Sequence, residues 1–293
     1  MSESPDQYGI LVAVDGSPES DAAVRWAARE AALQHTRLTL LHVVAPVIVS
    51  WPVATLESGF YQWQQDNAKD VIDQAQKTVQ SVLSSAEQPP IHVEIQDSAV
   101  VPALVDASGK ARMVVVGSRG LGAVGRAVLG SVSSALVRHA HCPTVVIRAG
   151  VGDEDTARPV LLGVDGSPAS EAATALAFDE ASRRGVGLVA LHAWSDFGAV
   201  PTAGMDWRQF EEDGNEILAE RLAGWQEKYP DVTVERRIVY NRPVHWLIEA
   251  SENAQLVVVG SHGRGGFTGM LLGSVSAGVV HQAKAPVVVV RSR

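Results

Sequence analysis

Glycine and serine crowd two fifteen-residue stretches of this chain, GSRGLGAVGRAVLGS at 117–131 and GSHGRGGFTGMLLGS at 260–274. Each opens Gly-Ser-x-Gly, closes Gly-Ser and follows a run of valines. That composition suits anion chemistry. Glycine lets the backbone approach a ligand closely, successive N–H groups form an anion nest, and a helix start adds free N–H groups and a favourable dipole. The candidate phosphate contacts are Gly117, Ser118, Gly120, Gly130 and Ser131 in the first stretch, and Gly260, Ser261, Gly263, Gly273 and Ser274 in the second. Ser131 and Ser274 add hydroxyl donors, while Val132, Ser133, Val275 and Ser276 continue each site into the following helix. Leu121, Gly122 and Ala123, and Gly265 and Gly266, extend the backbone cradle. Arg119, Arg126 and Arg264 either meet phosphate or stay solvated. The stretches differ where Arg119 becomes His262 and Leu121 becomes Arg264.

A second motif repeats with the first. ILVAVDGSPES (10–20) returns as VLLGVDGSPAS (160–170). Asp15 and Asp165 suit a ribose hydroxyl or Mg²⁺, held directly or through water; the competing reading is that they cap helices. Ser17 and Ser167 read as N-caps beside them, with proline at the first helical position. His42-Val43 and His192-Ala193 end another repeated strand, LTLLHVV and LVALHAW, where backbone groups of Val43 and Ala193 can meet an adenine. The two histidines read as strand-end residues, since no second metal ligand has a sensible spacing.

These motifs need a frame that brings them together. Asp15 and Asp165 are 150 residues apart, as are His42 and His192, whereas Gly117 and Gly260 are 143 apart. The chain is therefore a tandem repeat, with domains expected at 1–148 and 160–293 and an acidic linker, AGVGDEDTARP, at 149–159. In the first copy, strands are expected at 9–14, 38–44, 91–96, 113–117 and 144–148, and helices at 19–33, 62–86, 101–111 and 131–140. Trp26 and Trp63 read as helix packing residues. Alternating strands and helices predict two α/β domains in tandem. Each is a doubly wound five-stranded parallel sheet, order 3-2-1-4-5, with helices on both faces. Such sheets bind ligands where the winding reverses, between the ends of strands one and four. VDGS and the glycine stretch follow those two strands.

The residues then carry a resemblance. G-x2-G-x9-G-[ST] after a fourth strand resembles the ATP-binding signature of the universal stress protein family. Gly117, Gly120, Gly130 and Ser131 match it once; Gly260, Gly263, Gly273 and Ser274 match it again. Val14-Asp15 and Val164-Asp165 match the family's first-strand aspartate. The resemblance covers nearly the whole chain. It implies two ATP sites, a stress-linked regulatory role, dimerisation through the fifth strands, and Ala13 and Gly163 near the nucleotide. Asp196 is a further base or ribose contact in the second copy only, since its counterpart is Pro46.

Other properties narrow the function. A net charge of −9 argues against nucleic acid and anionic membranes as partners. The longest apolar runs are too short to span a bilayer, the N-terminus lacks secretory features, and Cys142 is the single cysteine; cytoplasm is the expected compartment. Neither glycine stretch contains the lysine of a P-loop, and no G-x-G-x-x-G follows the first strand. A nucleotide-binding regulator with little or no turnover is expected. The alternatives are a slow Mg²⁺-dependent ATPase or phosphotransfer enzyme, and a dimerisation module that binds another nucleotide.

Overall fold

The computed structural model describes residues 7–46, 54–121, 129–150, 156–194, 207–263 and 271–292. The chain divides into two compact units, Met1–Asp153 and Glu154–Arg293. In the first, β1 (Gly9–Ala13), α1 (Pro18–Leu33), β2 (Leu38–Val44), α2 (Ala54–Val82) and β3 (Ile91–Asp97) are followed by α3 (Val100–Ser108), β4 (Ala111–Gly117), α4 (Ser131–His139) and β5 (Thr144–Ile147). The strands lie in the order β3-β2-β1-β4-β5, and every pairing is parallel. The second unit repeats the plan. Its elements are β6 (Val160–Val164), α5 (Pro168–Arg184), β7 (Leu188–Trp194), α6 (Trp207–Lys228), β8 (Val234–Tyr240), α7 (Pro243–Ser251), β9 (Leu256–Gly260), α8 (Ser274–Gln282) and β10 (Val287–Val290). Its order is β8-β7-β6-β9-β10, again parallel.

Position in the sheet explains the strand sequences. Ile10–Val12 and Met113–Val116 are buried throughout, as strands covered on both faces must be. β3, IHVEIQD, alternates in exposure because it is an outer strand with one face less covered. Small residues bring the helices close: Ala23, Val24, Ala27, Ala28 and Ala31 of α1 are fully buried, and α1 packs against β1, β4 and β5 while α3 and α4 pack together. In the second unit Phe178 fills the corresponding layer and stacks on Trp225 of α6 and on Tyr229 just past its end.

Two expectations are corrected. α2 starts at Ala54 and stops at Val82 rather than spanning 62–86. Its end is set by a turn in which the Glu87 N–H donates to the Ser84 carbonyl, followed by Pro89-Pro90, which bar a helix. α3 stops at Ser108, not 111, because Gly109 and Lys110 form its closing turn and Ala111 already belongs to β4. Trp63 is 60% exposed, whereas Trp26 is buried. No helix among the described residues is long and apolar enough to cross a membrane.

Phe178→Ala removes a fully buried ring with two stacking partners. It should cost about 3–5 kcal/mol of stability, measurable as a lowered midpoint in denaturant unfolding followed by circular dichroism.

Candidate functional site

Each site grows out of the end of a first strand. After β1 the chain turns through Asp15-Gly16-Ser17, with Gly16 at φ +80°; Gly166 repeats this at +74°, a region open to glycine at little cost. The Ser17 hydroxyl caps α1 by accepting from the Ser20 N–H at 3.1 Å, and Ser167 caps α5 through Ser170 at 3.2 Å. Serine is therefore the side chain that caps each helix. Asp15 Oδ1 accepts from the Ser17 N–H at 3.0 Å and from its hydroxyl at 2.6 Å. Asp165 Oδ1 accepts from the Ser167 N–H at 2.9 Å, but the Ser167 hydroxyl donates across the cleft to the His262 carbonyl at 2.9 Å.

The glycine stretches meet these aspartates. A Cβ on Gly120 would fall on Asp15 Oδ2, and one on Gly263 would fall on Asp165 Oδ2. One step back, a Cβ on Gly117 would stand 2.8 Å from the Glu19 backbone carbon, and one on Gly260 2.8 Å from that of Ala169. The ends of β4 and β9 thus lie against the first turns of α1 and α5, and only glycine lets them. The Gly130 N–H donates to the Ser118 carbonyl at 2.8 Å, and the Gly273 N–H to Ser261 at 2.7 Å. This closes each stretch back on its own start.

Gly130 and Gly273 then cap α4 and α8 with extended backbone and no side-chain acceptor. The first helical N–H groups to find acceptors belong to Ser134 and Ala277. The N–H groups of Ser131, Val132 and Ser133, like those of Ser274, Val275 and Ser276, come before any intrahelical acceptor. Ser131 and Ser274 are exposed at the helix starts. Ser133 and Ser276 are buried, and their hydroxyls donate to the Ser118 carbonyl and to the Gly260 and Ser261 carbonyls respectively. Those hydroxyls brace the stretch from beneath, so what Ser133 and Ser276 offer a ligand is backbone N–H.

Strand two reaches the same corner. His42 Nδ1 lies 2.6 Å from the Val14 carbonyl, and His192 Nδ1 2.6 Å from that of Val164. A carbonyl only accepts, so each Nδ1 carries a proton and each ring ties the end of the second strand to the first. Val43 and Ala193 follow directly, half-buried, as Ala13 and Gly163 are at the first strands. Leu121 is 74% exposed. Gly122, Ala123, Arg126, Asp196, Arg264, Gly265 and Gly266 lie outside the described residues.

Three neighbours were not singled out by the motifs. Arg119 pairs with Glu19 of α1. Arg148, just past β5, lies near enough that burial and the Arg119 charge hold its pKa below the usual arginine value. In the second unit the Arg221 guanidinium of α6 lies against Gly166, where the first unit sets Val71 beside Gly16. Aligning the copies shows Glu19 opposite Ala169, a linear sign of this asymmetry beside Arg119 opposite His262.

The universal stress protein family model matches residues 9–148 and again 156–291. A universal stress protein of Mycolicibacterium smegmatis is 56% identical over 297 residues, with the whole of both chains covered. One of Mycobacterium tuberculosis strain H37Rv is 50% identical over 297 residues, covering 99% of each. Among solved structures, a universal stress protein from Archaeoglobus fulgidus superimposes with a TM-score of 0.72 over 99% of this chain and 98% of its own. At 19% identity it supports the fold alone.

Gly117→Ala and Gly260→Ala should each cost about 1–3 kcal/mol in urea unfolding, because a methyl group meets helix backbone that cannot step aside. Gly130→Ala should cost less, its nearest neighbour standing 3.3 Å away.

Proposed function

The chain belongs to the universal stress protein family, a family of the stress response, and from that premise we propose that each repeat binds one molecule of ATP as a regulatory ligand. One observation carries the reading: an uncapped helix start, a glycine turn and a first-strand carboxylate converge twice in one chain. The phosphates bind the N–H groups at the starts of α4 and α8 together with the glycine turn, where partial positive charge is concentrated. The ribose side faces Asp15 or Asp165, and the adenine meets the backbone at Val43 or Ala193.

Mg²⁺ fits this donor set as a companion of the nucleotide. Each site offers one carboxylate, with one oxygen already accepting from the Ser17 or Ser167 N–H. Mg²⁺ commonly takes one or two carboxylates and completes its shell with phosphate and water. Bound there, it would neutralise phosphate charge; Asp15 and Asp165 would hold it directly or through water.

The site is built for binding more than for turnover. Neither glycine stretch supplies a lysine to stabilise a transferring phosphoryl group. The protein therefore acts by being loaded or empty, in the cytoplasm, as a dimer joined through Thr144–Ile147 and Val287–Val290.

Mass spectrometry of ligand released by heating purified protein should show about one adenine nucleotide per repeat. Protein free of nucleotide that also ignores added ATP would refute the reading. Asp15→Glu should weaken the first site by roughly tenfold, or about 1.4 kcal/mol, and spare the second. Its added methylene drives the carboxylate into Gly120, and calorimetry resolves the two sites. Phosphate release under single-turnover conditions should match buffer; a faster rate would favour the ATPase alternative.

A further inference from the structure

The two copies share their glycines, aspartates and serine caps, yet they distribute charge differently at the β4 and β9 ends. In the first unit, Arg119 occupies the variable position of Gly-Ser-x-Gly. Its backbone stands between Gly120, which abuts Asp15, and Gly130, whose added Cβ would lie 3.3 Å from Arg119 Cα. This is the centre of the proposed phosphate cradle. The guanidinium, however, is turned onto the Glu19 carboxylate in the first turn of α1. Glu19 is nearly buried, with its side chain 10% exposed against 28% for Arg119. Arg148 adds a second guanidinium, which is held below the usual arginine pKa by burial and by the Arg119 charge. Arg119 thus lies in reach of both the Glu19 carboxylate and the Arg148 charge. In the second unit, Ala169 replaces Glu19 and His262 replaces Arg119, with the His262 ring 3.0 Å from the Ser261 hydroxyl.

We propose that the Glu19–Arg119 ion pair is an electrostatic latch that sets the first site's preference among phosphate-bearing ligands. This inference rests on the nucleotide reading of the same site. Glu19 holds the Arg119 guanidinium on α1 while the cradle is empty. A polyphosphate chain, carrying several charges at the glycine turn, competes with the single Glu19 carboxylate and draws the guanidinium onto itself. A ligand with one phosphate or none competes poorly. The second site has no carboxylate at this place, so its affinity depends less steeply on phosphate number. Glu19 is a positioning residue here: it acts through Arg119 and touches no ligand.

The test is calorimetric titration of the full chain with ATP, AMP and adenosine, comparing unsubstituted protein with Glu19→Gln and Glu19→Ala. Both variants should gain on the order of tenfold in ATP affinity at one of the two sites, the scale of a single charge contact. Adenosine affinity should stay unchanged, and the gain should shrink as salt rises, because screening weakens the freed charge. An unchanged or weakened ATP affinity in a Glu19 variant that melts cooperatively would overturn the latch. So would equal changes for ATP and adenosine, since those are what a purely structural role produces. If both Glu19 variants fail to fold, Arg119→Gln decides: the latch requires weaker ATP binding at one site with adenosine unaffected, and equal loss of both overturns it. Failure of the unsubstituted chain to bind ATP or adenosine at all would instead refute the nucleotide reading beneath it.

Discussion

A missing side chain governs both halves of this protein. Because Gly117 has no Cβ, the end of β4 lies against the Glu19 backbone; Gly260 does the same against Ala169. That approach fixes how far the fourth strand of each unit stands from the helix that follows its first strand. The rest of each site inherits the spacing. Gly120 and Gly263 reach the aspartate carboxylates only because the strands before them are seated so closely. The loop's return, through Gly130 to Ser118 and Gly273 to Ser261, then sets where α4 and α8 begin. A backbone clash has no rotamer that relieves it, so this constraint is harder than any single hydrogen bond in the site.

Much of this architecture was legible in the residues. Strands buried on both faces announce themselves as unbroken apolar runs, and Ser-Pro after a strand marks a helix start, as Ser17-Pro18 and Ser167-Pro168 do. Duplication made the glycine spacing readable, since a loop of arbitrary composition has no reason to recur in register. What the sequence hid was direction. Ser131 and Ser133 look equivalent in a string of letters, yet one sits exposed at the helix start and the other, buried beneath the loop, hydrogen-bonds a carbonyl. Helix ends were missed where a local turn cut the pattern short, at residues 84–87 after α2 and at Gly109-Lys110 after α3. The Glu19–Arg119 pair joins residues 100 positions apart, and no periodicity connects them.

The copies show which features the fold demands and which it leaves open. Backbone contacts are kept in both: glycine against helix, glycine against carboxylate, histidine Nδ1 to strand carbonyl. Side chains at the rim are not. The Ser17 hydroxyl donates to Asp15, but that of Ser167 donates to His262; Val71 beside Gly16 gives way to Arg221 beside Gly166. Two pockets with one skeleton can thus acquire different chemical tastes without any cost to the sheet that carries them.

The glycine caps of α4 and α8 have one more consequence. A helix that begins on glycine forgoes only about a few tenths of a kcal/mol relative to serine or aspartate, and an anion that bound only the folded form would add RT ln(1 + [L]/Kd). With such an anion bound, part of the folded state's free energy would come from the surrounding solution. The lifetime of the protein, set by how often it opens to proteases, would then gauge how much of that anion its compartment holds.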